Sequence, residues 1–206
     1  MSACAPLQTT ELALPLETEA PPLTPTEPAS SPTDLPSAPT DSANDSAGIF
    51  ALLPPPACDE TLTPSQTEGP YYTPDTPERN SLLEEGMPGE SLLLIGYVLD
   101  QNCNPIPRAW LDFWQADSTG EYDNAGYTLR GHQFTDEQGR YFLETVMPGL
   151  YSSRPIRHIH VKVQPPGGQI LTSQLYFPEQ PVENLTVQLI PQDGYQLGLF
   201  NFVVNR

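Results

Sequence analysis

The chain has 206 residues, 26 of them proline, and a formal net charge of −18. At this length one domain is the default, and so acidic a chain has no electrostatic attraction to nucleic acid. No apolar run approaches the length of a membrane span.

Proline and negative charge concentrate at the N-terminus. Twelve prolines fall within residues 1–56, and residues 1–78 carry 12 acidic residues and no Lys or Arg. Residues 1–56 contain a single aromatic, Phe50. They cannot bury enough apolar surface to offset chain entropy, so a disordered, semi-extended tail or linker is expected there. No basic n-region or apolar h-region is visible. Met1-Ser2-Ala3-Cys4 has two readings: the end of a lipoprotein signal that begins upstream, making Cys4 a lipid anchor, or a chance cysteine near an initiator Met.

The globular part begins near Cys58, as residues 57–206. Residues 58–72 are polar, turn-rich and aromatic at their end, which predicts an ordered loop laid over the core. Residues 92–100 read as a strand. Asp100–Pro107 is a turn, and 109–115 is a second strand expected to pair with the first. Residues 133–135 and 140–144, joined by Asp136-Glu137-Gln138-Gly139, predict a hairpin. Residues 158–164 and 169–177, joined by Pro165-Pro166-Gly167-Gly168, predict another. Residues 186–189 and 199–204 complete the set. Short strands with Gly/Pro turns and no long amphipathic helix predict an all-β fold. The expected architecture is a β-sandwich of mainly antiparallel strands behind a disordered Pro-rich tail.

Two of the three histidines stand at His158 and His160, inside a β-branched, alternating run. Strand residues two apart share a face, so the two imidazoles point the same way. The pair has two readings from pattern alone: metal ligands, or ordinary structural histidines. Further ligands are needed to decide, and thiolates are absent nearby. Tyrosine is a candidate where a strongly charged metal such as trivalent iron depresses its pKa. Tyr122 and Tyr151 stand in suggestive places, at a strand end running into a loop and seven residues before His158, but spacing alone does not select them.

Five ordered motifs carry a resemblance. They are Thr67-Glu68-Gly69-Pro70-Tyr71-Tyr72; the run from Gly96-Tyr97-Val98 through Leu111-Asp112-Phe113-Trp114-Gln115-Ala116-Asp117 to Gly120-Glu121-Tyr122; Pro148-Gly149-Leu150-Tyr151; Arg157-His158-Ile159-His160-Val161; and Thr172-Ser173-Gln174-Leu175-Tyr176-Phe177-Pro178. Together they cover roughly residues 58–190, and over this span the chain resembles the intradiol ring-cleavage dioxygenases. That is the family of catechol 1,2-dioxygenase, hydroxyquinol dioxygenase and protocatechuate 3,4-dioxygenase.

The resemblance implies a non-haem ferric ion, Fe(III), held by Tyr122, Tyr151, His158 and His160. It implies a catecholic substrate and O2, with ring opening between the hydroxyl-bearing carbons to a cis,cis-muconate-type diacid. Tyr151 takes the role of the tyrosine that leaves iron when substrate binds, and Tyr122 that of the one that stays. Gln174 matches a glutamine close to the iron. The family's arginine three residues before the first ligand histidine is here Pro155. Arg154 is the better candidate for that arginine's role, because Arg157 points away from His158 on a regular strand. Cys58 and Cys103 flank matched motifs, and the likeness to extracellular members implies a disulfide and an oxidising compartment, the envelope or outside. The alternative in which both are free thiols of a cytosolic enzyme stays open. The competing function is a non-catalytic β-sandwich binding module of the cell surface, which has no need of four converging ligands. A cupin-like ferrous enzyme would want a carboxylate or a third histidine, and His132 lies on a different strand.

Overall fold

The computed structural model describes residues 42–151 and 154–206. One helix, α1 (Ser42–Phe50), precedes nine strands. They are β1 (Ser91–Leu99), β2 (Trp110–Trp114), β3 (Arg130–Phe134), β4 (Arg140–Val146), β5 (His158–Gln164), β6 (Leu171–Tyr176), β7 (Gln188–Pro191), β8 (Tyr195–Leu199) and β9 (Phe202–Val203).

Two sheets form the expected β-sandwich. The first has the order β4-β1-β8-β7, with β9 also on β1. β1 pairs antiparallel with β4 and parallel with β8 and β9. The second sheet, β3-β2-β5-β6, is antiparallel throughout. Period-2 alternation sends Leu111, Phe113, Ile159, Val161, Val163 and Leu175 inward to meet Leu92, Leu94, Val98 and Leu143 of the first sheet.

The β5–β6 hairpin forms as expected, closed by Gly168 N–H donating to Pro165 O at 2.9 Å. Two expected pairings do not form. β2 pairs with β3 and β5 in the opposite sheet, never with β1. The 100–109 connection doubles back on β1 through Ile106 N–H to Val98 O, with Cys103 and Arg108 at positive φ, before crossing the sandwich. Likewise β3 and β4 flank a tight Asp136–Gly139 turn, yet each joins its own sheet. Segment 77–82 seals the open side between these two edges. It forms bridges at Glu78–His132 and Ser81–Glu144, which leaves neither edge bare there.

The tail boundary also differs from expectation. Residues 42–50 are helical, and Phe50 sets its ring edge-on to Phe142 at 5.8 Å under the Arg140 guanidinium at 4.2 Å. Tyr97 donates its hydroxyl to Pro54 O, and Asn201 its amide to Ala57 O. One ring and two accepted hydrogen bonds thus hold residues 50–57 against the first sheet. Residues 1–41, with the lipid-anchor reading of Cys4, lie outside the described residues. Among the described residues no helix is long and apolar enough to cross a membrane.

A covering loop over residues 63–80 runs across the outer face of the second sheet. It passes β6 through Gln66 N–H to Thr172 O and Ser173 Oγ to Pro64 O. It crosses β2 where Tyr72 and Thr76 donate to Asp112, and reaches β3 where Arg79 N–H donates to His132 O. Cys58, just upstream, is disulfide-bonded to Cys103, with Cα atoms 5.5 Å apart. The pairing implied by the resemblance is present.

Candidate metal centre

β5 places His158 and His160 on the outer face, beneath the covering loop; they are 2% and 1% exposed. Their Nε2 atoms stand 3.1 Å apart. His158 Nδ1 lies 2.8 Å from Ile156 O, which can only accept, so Nδ1 carries the proton and Nε2 presents a lone pair. His160 is fixed by stacking on Trp114, with ring centroids 4.9 Å apart and planes 7° apart. Gly69 lets the loop pass directly over that imidazole. Its φ is +74°, and a Cβ there would stand 3.2 Å from His160 Cε1.

The tyrosines arrive from two loops that pack backbone to backbone. Gly149 N–H donates to Asp117 O at 2.7 Å, and Gly120 sits at φ +94°, where a Cβ would collide with Leu150 O. The approach brings Tyr122 and Tyr151 to 5.8 Å between ring centroids. Tyr122 Oη lies 3.5 Å from His158 Nε2, and the Tyr151 ring 5.8 Å from that of His158. All four residues named from the resemblance therefore converge on one spot, half-buried at the tyrosines and buried at the histidines.

The electrostatics suit a trivalent cation. Burial, then Arg154, holds the His158 imidazole neutral, down to about 4, and burial, then His158 and Arg154, holds that of His160 neutral, down to about 2. Burial, then Tyr151, push the Tyr122 phenol above its ordinary value. Such a phenol gives up its proton only to a strongly charged cation. With His158 Nε2 presenting a lone pair, the two Nε2 atoms at 3.1 Å need a cation or a shared proton between them. Two hard phenol oxygens with two imidazoles fit ferric iron better than ferrous.

Arg154 donates to Gln174 Oε1 at 2.6 Å and Tyr176 Oη at 2.9 Å; Gln174 in turn donates to Thr67 O at 2.6 Å. Arg157 lies elsewhere, bonded to Pro148 O and paired with Glu179 at 3.2 Å. Four contributors escaped sequence reading as site residues: Tyr71, stacked on Tyr122 at 4.3 Å; Trp114; Tyr176; and Arg130, bonded to the main chain beside Tyr122. The first three lie inside matched motifs, so their position was a usable signal. Arg130 lies outside them. His132 takes no part in the cluster; its Nδ1 meets Thr76 O at 2.7 Å.

The family model described as Dioxygenase matches residues 67–189, which include every residue of the cluster. The chain is 44% identical to the dioxygenase domain of a dioxygenase carbohydrate-binding protein fusion from Streptomyces sp. SirexAA-E. That match has a TM-score of 0.68 and covers 70% of this chain and 99% of the other. It is 34% identical over 146 residues to the protocatechuate 3,4-dioxygenase alpha chain of Pseudomonas putida, covering 59% of this chain and 72% of that protein. It is 31% identical over 150 residues to catechol 1,2-dioxygenase of Candida albicans, covering 59% of this chain and 49% of that protein. The chain spans about half the length of the catechol dioxygenases it matches. On these grounds the chain belongs to the intradiol dioxygenase family.

Proposed function

We propose that the chain is a non-haem ferric dioxygenase. It opens a catecholic ring between the two hydroxyl-bearing carbons with O2, placing both oxygen atoms in a cis,cis-muconate-type diacid. The observation that carries this reading is the convergence of Tyr122, Tyr151, His158 and His160, with the two Nε2 atoms 3.1 Å apart. These four residues would hold the iron. When bound, ferric iron supplies Lewis acidity that draws electron density from the catecholate and makes a ring carbon reactive toward O2.

The protein's own residues do the rest. The Tyr151 phenolate is a local base for one substrate hydroxyl proton, while Tyr122 stays in place. The Arg154 guanidinium, aligned by Gln174 and Tyr176, balances negative charge on the ring. Trp114, fully buried behind His160, keeps water from that side. The Cys58–Cys103 bond supports work in an oxidising compartment.

Incubating iron-loaded protein with catechol or a substituted catechol in air tests the reading. The product should absorb in the ultraviolet as a muconate. A yellow semialdehyde, the mark of cleavage outside the diol, overturns it.

A further inference from the structure

Arg130 opens β3 and is 1% exposed, yet it forms no ion pair among the described residues. A buried charge with no carboxylate bonded to it is costly, and its hydrogen bonds must offset that cost. All of them go to main-chain carbonyls. Nε and Nη2 donate to Asp123 O at 3.1 and 2.7 Å, and Nη1 donates to Tyr71 O at 2.6 Å.

Those two carbonyls flank one side chain. Asp123 follows Tyr122 directly in the chain, and the Tyr71 ring stacks on the Tyr122 ring at 4.3 Å and 17°. The guanidinium fork thus grips Tyr122 from behind, through the carbonyl of the next residue, and from the side, through the ring laid against it. The grip is itself held. Arg79 Nε and Nη2 donate to Arg130 O at 3.0 and 2.8 Å. The Asp123 carboxylate is occupied with its own loop, accepting from Ala125, Gly126 and Thr128 N–H. Asp123 offers Arg130 its carbonyl as hydrogen-bond acceptor, while its charge acts on the guanidinium only through space.

We propose that Arg130 is a positioning residue for Tyr122, fixing the direction from which that phenol oxygen reaches the metal. The proposal rests on the ligand reading above. A lysine in its place keeps the charge but lacks the planar fork whose Nε, Nη1 and Nη2 meet the two carbonyls in a fixed geometry.

The test uses the full chain with Arg130→Lys and, as a second variant, Arg130→Gln. In the metal-free protein, ring resonances of Tyr122 carry the shift imposed by the stacked Tyr71; they are assigned with Tyr122→Phe. Both variants should lose that shift. In the iron-loaded protein, a Tyr151→Phe background leaves Tyr122 as the sole phenolate. There the visible band should move and broaden in Arg130→Lys. Without the Tyr151 change, kcat should fall by up to about 10²-fold, the cost of a misplaced reacting group, with KM altered far less. A purely structural arginine would lower the melting temperature and leave both signals at their parent positions, which overturns the proposal. If the parent protein shows no visible band, the ligand reading falls, and the Tyr122 ring shift alone still decides whether Arg130 holds that ring.

Discussion

The inner and outer faces of the β3-β2-β5-β6 sheet are both buried, the inner by another sheet and the outer by a loop. Inward point Leu111, Phe113, Ile159, Val161 and Val163, all fully buried and purely apolar. Outward, from the same strands, point Asp112, Trp114, Arg130, His158, His160 and Gln174, each also 2% exposed or less. The facing sheet offers mostly apolar side chains, Tyr141 and Thr145 being the polar exceptions, so it selects mostly apolar partners. The covering loop offers carbonyls, hydroxyls and a carboxylate, so Asp112, Arg130 and Gln174 are paired beneath it, while Trp114 Nε1 and His160 Nδ1 are buried there without a hydrogen-bond partner among the described residues. The alternation of a strand thus divides labour residue by residue: stability inward and chemistry outward.

Adjacent substitutions on β5 break that comparison most sharply. His160→Ala should abolish iron retention and turnover. Ile159→Ala, one residue away and fully buried, should cost about 2–5 kcal/mol of stability and leave iron content per folded molecule near one. Calorimetry and metal analysis of the two variants check this. Equal losses of iron in both would mean that the faces are not separable.

The disulfide asks whether the loop needs its anchor. Cys58–Cys103 spans 45 residues and ties the start of the covering stretch to the turn after β1. The pair Cys58→Ser, Cys103→Ser should lose about 3–4 kcal/mol. Proteolysis should then cut first within residues 58–80. Cleavage elsewhere would show that the side chains bonded to the outer face hold the loop unaided.

The smallest effect is on pH. Burial keeps His158 and His160 neutral, at about 4 and about 2, against about 6.5 in an unfolded chain. The unfolded chain therefore takes up protons that the folded chain refuses. The stability these neutral rings contribute is full above about pH 6.5 and is lost as pH falls, down to about 4 for His158 and about 2 for His160. Melting temperatures of metal-free protein should decline across that window, and His158→Gln should flatten the decline. An identical slope in both proteins would contradict the assignment.

Much of this was legible in the sequence, and the limits are physical. The β5–β6 hairpin was readable because its Pro-Pro-Gly-Gly turn joins strands that then pair. The Asp136–Gly139 turn, which also contains a glycine at positive φ, carries the chain from one sheet to the other. Partner choice there depends on distant strands, so turn residues could not reveal it. The β1–β2 error has the same origin. α1 was missed because proline and polar residues surround it, and its docking depends on distant partners, Phe142 and Arg140 at Phe50 and Tyr97 and Asn201 just beyond. At the site, alternation alone put His158 and His160 on one face, whereas Tyr122 and Tyr151 needed the motif resemblance. Arg130 was illegible because an arginine that binds only carbonyls leaves no patterned partner in the sequence.

The visible spectrum of the iron-loaded protein tests the central claim most directly, that two phenols and two imidazoles on this outer face hold ferric iron. Tyrosinate bound to ferric iron absorbs visible light by charge transfer, so the protein should be burgundy to red-brown. Tyr151→Phe should shift or weaken the band, and Tyr122→Phe should remove most of it together with the iron. A colourless protein that nonetheless retains its iron would contradict the assignment.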